Sequence, residues 1–265
     1  MIEYLIILVI ILILLVLYYL FHIIEKFEEK KSINLVIVTS VIHTTNKPLT
    51  YSSVRSVFTP EDRINQTINT FKTIREKIPN SFIVLVEGSS LENNEKNNLV
   101  SNVDAFFQCK DLENINSSLK GLGETSMVRE FLNSDIFKKI SNENIIITTT
   151  KITGRYYLND NYSFNNMPLD KITLKMEGED WHVTSSYRIG TNLINIYISE
   201  LDRIYDMYKN HQKNMKANEE ISLEKVMFWK INPDFIFKIR HPSKYGITGL
   251  SSADGTTIES FVQIN

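Results

Sequence analysis

The chain has 265 residues, 43% of them hydrophobic and 23% charged, with a formal net charge of −2. This is enough chain for one sizeable core, and the near-neutral balance argues against broad nucleic-acid binding. One cysteine, Cys109, excludes an intrachain disulfide, and no Cys/His spacing suits structural zinc.

The first 24 residues differ from the rest. From Tyr4 to Ile24 runs "YLIILVIILILLVLYYLFHII", interrupted only by His22; its 21 residues, at about 1.5 Å rise each, cover roughly 31 Å, enough to cross a hydrocarbon core. A secretory leader would carry basic residues in front and a small-residue cleavage site behind, whereas this stretch has Glu3 and the bulky "YYLFHII". Residues 1–24 therefore read as a single-pass transmembrane anchor. Lys26, Lys30 and Lys31 follow it and no Lys or Arg precedes it, which places the larger part of the chain in the cytosol. The sequons Asn65-Gln-Thr, Asn116-Ser-Ser and Asn161-Tyr-Ser argue for the opposite orientation, since they matter only in a lumen.

After a charged stalk over 25–32, "INLVIVTSVIH" (33–43) is a continuous apolar run of strand length, as expected of a central strand buried on both faces. "TTNKPLTYSSVRSVF" is a polar loop. Thr59 as N-cap, Pro60, Glu61 and Asp62 then open an amphipathic helix over 60–78, with Ile64, Ile68, Phe71, Ile74 and Ile78 on one face. "SFIVLVEG" (81–88) is the next strand, "LENNEKNNLV" a short helix, "VDAFFQC" (103–109) a strand, 123–140 a helix and 144–152 a strand. Strand and helix alternating at these lengths predict a single α/β domain over 33–265 with a mostly parallel sheet. Further on, "KITLKM" and "HVTSSYRIG" read as antiparallel additions, "TNLINIYISELDRIYDMYKNHQKN" as a long helix, "SLEKVMFWKI" as a shorter one and "GITGLSSADGTTI" as a terminal hairpin or loop.

There is no Gly-x4-Gly-Lys-Ser/Thr loop, no His-Glu-x-x-His and no Gly-x-Ser-x-Gly, and "GLGETS" lacks the third glycine of a dinucleotide fingerprint. In open α/β sheets ligands lie beyond the carboxyl ends of the strands. The segments due to meet there supply Lys47, Arg55, Lys120 and Arg155, the tyrosines Tyr51, Tyr156 and Tyr157, and the carboxylates Glu87, Glu124 and Asp160. Such a mixture suits a nucleoside diphosphate carrying a sugar, with arginine forks and lysine charges on the phosphates. "KGLGE" has two glycines beside Lys120, which permits close approach of a ligand to the backbone. No histidine pair has metal-ligand spacing, and His43 reads as a satisfied strand-end residue. The Tyr197, Tyr205 and Tyr208 stripe, Trp181 and Trp229 read as core.

The runs "IVTSVIHTTNKPLTYSSVRSVFTPEDR", "SFIVLVEGSS", "KGLGE" and "KITGRYYLND" resemble a poorly characterised group of glycosyltransferase-like proteins of viruses and bacteria, in which a Lys-x-Ser/Thr-Gly-Arg-Tyr strand end recurs. The resemblance implies a Rossmann-like domain of the A-type glycosyltransferase fold. It also implies a nucleotide-sugar donor and a glycan, lipid or protein acceptor. That broad class usually carries Asp-x-Asp where this chain has Gly154-Arg155-Tyr156, which leaves the need for manganese or magnesium open. On this reading Arg155, with Lys151 or Lys120, takes the metal's part, Arg55 and Tyr156 join the donor site, and Asp160 and Glu224 are the candidates for a base on the acceptor hydroxyl. A membrane-tethered domain that binds nucleotide sugars or glycans without turnover is the competing reading.

Overall fold

The computed structural model describes residues 4, 9–19, 30–177, 181–214, 223–228, 231–239, 246–250, 255 and 257–259. Four parallel strands form the centre: β1 (Lys31–Ser40), β2 (Ser81–Glu87), β3 (Ala105–Gln108) and β4 (Asn144–Thr153). β5 (Tyr156–Leu158) leaves this sheet, β6 (Ile172–Glu177) and β7 (Trp181–Gly190) return to it antiparallel to each other, and β8 (Ile236–Ile239) lies parallel to β6 at the edge. The order is β3-β2-β1-β4-β7-β6-β8. β9 (Ile247–Leu250) and β10 (Thr257–Glu259) pair antiparallel and join β5 in a separate three-stranded sheet.

β1 is central because its last eight residues are buried. Successive side chains of a strand point to opposite faces. Ile33, Leu35 and Ile37 therefore meet one helical layer: α4 (Lys120–Leu132), α5 (Asp135–Glu143) and α6 (Ile194–Asn214). Val36 and Val38 meet the other, formed by α1 (Pro60–Lys77) with β5 and β9. The predicted α/β class with a mostly parallel sheet is the observed one. α1 starts where its signals place it. Thr59 Oγ1 accepts from Asp62 N at 3.2 Å and Thr59 N donates to the Asp62 carboxylate at 3.0 Å, a reciprocal cap worth about 1 kcal/mol. The remaining helices are α2 (Asn93–Val100), α3 (Leu112–Ile115) and α7 (Leu223–Val226). The tyrosine stripe packs as expected, with Tyr197, Leu201 and Tyr208 fully buried.

Three expectations need correction. The single helix over 123–140 is two, because Ser134 caps a new start by accepting from Phe137 N at 3.2 Å. β5, β8 and α3 were not anticipated; at three or four residues each they are too short to show a period. The helix also starts earlier than the expected residue 123, so "KGLGE" forms the first turn of α4. Among the described residues no helix is long and apolar enough to cross a membrane. Of the predicted span, residue 4 and residues 9–19 are helical, and the rest, with most of the stalk, lies outside the described residues. So do Trp229, His241 and the predicted hairpin's tip at 251–254 and 256, along with the side chains of Trp181 and His182.

Candidate active site

β2 and β4 flank β1 on opposite sides, so the strand order reverses beside β1 and leaves a crevice beyond the ends of β1 and β4. A cleft of about 110 Å³ opens there, lined by Thr39, Ser40 and Val41 from the end of β1 and by Thr153, Gly154 and Arg155 from the end of β4. Gly154 N continues the strand pairing by donating to Thr39 O at 2.9 Å. A Cβ on Gly154 would stand 2.9 Å from Thr67 Oγ1, so glycine is what lets α1 close on the end of β4. The chain then turns out of the sheet and delivers Arg155 to the cleft.

Arg55, Lys120 and Arg155, expected to converge from sequence, line this one cleft. Lys120 is the first residue of α4. The Arg55 guanidinium donates to Ser117 O and Ile115 O, both at 2.9 Å, tying the 44–58 loop to the segment after α3. Burial pulls its pKa below the ordinary value. Arg155 also lies 5.7 Å from the centre of the Tyr156 ring.

A fourth cation, Arg63, was not anticipated. It sits on the first turn of α1, 7% exposed, with Nε donating to Val41 O at 2.6 Å and Nη1 to Ser56 Oγ at 3.1 Å. Burial, and after it the positive charge of Arg155, pull its pKa down to about 9; the Glu87 carboxylate opposes this and Arg55 adds to it. Among the described residues no carboxylate comes within ion-pair distance of Arg63. A signal for it did exist in the sequence. A basic residue in a helix's first turn opposes the macrodipole, and here it directly follows two acids that suit that place.

The other expected residues lie elsewhere. Lys151 is fully buried in β4 and donates to Glu124 Oε1, to Thr153 Oγ1 at 2.9 Å and to Thr184 O at 2.9 Å. An ammonium has three protons, so these bonds engage Lys151 inside the protein and away from a phosphate. Tyr156 packs into the core on the α1 side, and its carbonyl accepts from Thr70 Oγ1 at 2.7 Å. Asp160 is fully exposed and paired at 2.8 Å with Lys77, the last residue of α1, whereas the cleft lies at that helix's first turns. Glu224 lies in α7, and its side chain is outside the described residues. Glu87 is fully buried behind the cleft, accepting from Ile42 N at 3.0 Å and from Ser89 N at 2.9 Å. His43 is tied to Glu95 at 2.8 Å. The glycines of "KGLGE" serve packing: a Cβ on Gly121 would fall 1.9 Å from Tyr208 Oη, and one on Gly123 would fall 2.6 Å from Ile115 O. Glu124 is, among the described residues, the one carboxylate on the cleft wall. Among the described residues no group of three His, Cys, Asp or Glu side chains could hold a metal ion.

No protein-family model and no curated protein matches the sequence. Several solved structures do. The glycosyltransferase GlyE of Streptococcus pneumoniae TIGR4 is 8% identical over 81% of this chain and 47% of its own, with a TM-score of 0.47, so the chain spans about half of that protein's length. A glycosyltransferase involved in glycosylation of the PBCV-1 major capsid is 7% identical over 79% of this chain and 82% of its own, at 0.40. The galactosyltransferase LgtC, solved with donor and acceptor sugar analogues, is 6% identical over 78% and 74%, at 0.48. At these scores none of the three supports any step that follows.

Proposed function

We propose that the chain is a membrane-anchored glycosyltransferase that moves a sugar from a nucleotide-sugar donor to a glycan, lipid or protein acceptor, with side-chain cations at the donor diphosphate in place of a metal ion. The observation that carries this reading is Arg63. A buried guanidinium with no carboxylate at ion-pair distance among the described residues, repelled by Arg155 and Arg55 and only partly offset by Glu87, is stabilised by an anion brought into the cleft between them. About 110 Å³ accommodates a diphosphate at the base of the cleft, with the nucleoside extending towards its open side. As the bond from the sugar's anomeric carbon to the leaving phosphate oxygen breaks, negative charge grows on the diphosphate. Cations already held by Val41 O, Ser56 and the 115–117 carbonyls stabilise that charge without reorganising.

A divalent ion does not fit the same residues. Among the described residues four cations line the wall, and its single carboxylate is already held by Lys151. No step is therefore routed through manganese or magnesium. The anchor in this reading is the apolar run of residues 4–24, and the lysines after it place the domain on the cytosolic side. Asp160 has no part in it. That the described residues place no second carboxylate on the cleft wall favours the competing reading, a tethered domain that binds nucleotide sugars or glycans without turnover.

Calorimetry with a panel of nucleotide sugars, followed by a hydrolysis assay, separates the two, since binding without turnover selects the second. In the enzyme, Arg155→Ala should lower turnover about 100-fold or more, as loss of one oriented electrostatic donor does. Arg63→Met should weaken nucleoside diphosphate binding by about tenfold or more, the worth of a charged hydrogen bond. Chelator should leave both unchanged. Activity that dies with chelator while Arg155→Ala is harmless overturns the proposal.

A further inference from the structure

Glu124 stands four residues after Lys120 on α4, so the two share a helix face and both reach the cleft wall. Its Oε1 accepts from the fully buried Lys151 ammonium, while Oε2 makes no hydrogen bond with a described residue and the side chain keeps 15% exposure. The contact with the Lys151 ammonium fixes the position of this carboxylate. Among the described residues the wall thus carries one carboxylate, held from behind by Lys151, next to four cations.

From this juxtaposition we infer that Glu124 is a specificity-determining residue. It accepts hydrogen bonds from neutral hydroxyl groups beyond the diphosphate and repels a third phosphate in the same place. The inference rests on the donor-site reading above and adds to it the class of ligand the cleft rejects. Nucleoside diphosphates and triphosphates both offer phosphate oxygens to Arg55, Arg63, Lys120 and Arg155, so cations alone would favour the more highly charged triphosphate. In a cell where triphosphates are present, a transferase must avoid that competitor. A fixed carboxylate supplies discrimination through an unfavourable contact with the wrong ligand, while a sugar hydroxyl donates to the same oxygen.

The test compares three ligands by calorimetry on the full chain. They are whichever of UDP, GDP, ADP and CDP binds best, its triphosphate and its glucose conjugate. Glu124→Gln keeps an acceptor oxygen and removes the charge. Because it would leave the Lys151 ammonium buried without a counter-charge, the double variant Glu124→Gln with Lys151→Met is measured beside it, replacing the pair by neutral groups of similar size. In both variants triphosphate affinity relative to the glucose conjugate should rise about tenfold or more, with diphosphate affinity nearly unchanged. A wild type that binds a diphosphate, and a double variant that melts normally yet keeps the wild-type ratio, overturn the role of Glu124 alone. A wild type that binds none of the diphosphates overturns the donor-site reading, and this inference with it.

Discussion

At the end of β2 a carboxyl group is buried without a cation in contact. Glu87 faces Ile42 N, the hydroxyls of Ser40 and Ser89 and, at longer range, the Arg63 guanidinium and the Cys109 thiol. Burial raises its pKa to about 7 against an ordinary 4.5, and the hydrogen bonds only partly offset that. Between those values the folded chain holds a proton that the unfolded chain has released. The Glu87 contribution to stability is therefore greatest in acid and is lost as pH rises from 4.5 through 7, by an amount on the order of 3 kcal/mol. Glu87→Gln keeps the acceptor for Ile42 N and removes the titration, so it should flatten the fall in melting temperature between about pH 5 and 7.5. A wild-type slope retained in the variant would assign the pH dependence to another group. Sequence could place Glu87 at a strand end, but not on which side of the turn its side chain falls. The same limit applies to Arg55, Lys120 and Arg155, whose convergence was legible because topology alone sends their segments to one edge. It applies in reverse to Lys151, Tyr156 and Asp160, which come from the same segment as Arg155 yet point into the sheet interior, the α1 core and the far end of α1.

The elements that could be read from sequence are those whose burial covers a whole face. β1 and β2 are near-continuous apolar runs because packed layers cover both sides, and α1 shows its period because one face meets the sheet. α4 was harder, since its first turn looks like a loop until its partner is known. Gly121 lies against the fully buried ring of Tyr208 on α6, and that contact, not a ligand, demands the missing side chain. Gly121→Ala would set a methyl 1.9 Å from Tyr208 Oη and 2.5 Å from its Cζ, so α4 or α6 must shift. The expected cost is about 1–3 kcal/mol, seen as a melting temperature lower by roughly 2–4 °C per kcal/mol despite alanine's better helix propensity. Because Lys120 is the neighbouring residue, nucleoside diphosphate binding should weaken in the same variant. A variant that melts with the wild type would show that the two helices are not held at this distance.

For the whole molecule, the question is what covers the N-terminal helical residues. Both core clusters are built from residues 33–247, and neither includes any residue of 9–19. Val9 to Tyr19 leave their apolar side chains 48–69% exposed, so this run buries nothing against the domain and contributes nothing to its packing. Exposed apolar surface of this extent carries an unfavourable hydration free energy of about 25 cal/mol per Å², which a lipid phase removes. If residues 4–24 are the anchor, a chain beginning at Lys30 should keep the domain's melting temperature and its diphosphate affinity while losing all association with lipid vesicles. The full chain should sediment with vesicles and resist salt extraction, because apolar burial, unlike attachment through the stalk lysines, is not screened. Release of the full chain by high salt would move the attachment from the apolar run to charged groups such as the stalk lysines, and vesicle binding retained after truncation would move it to the folded domain's own surface.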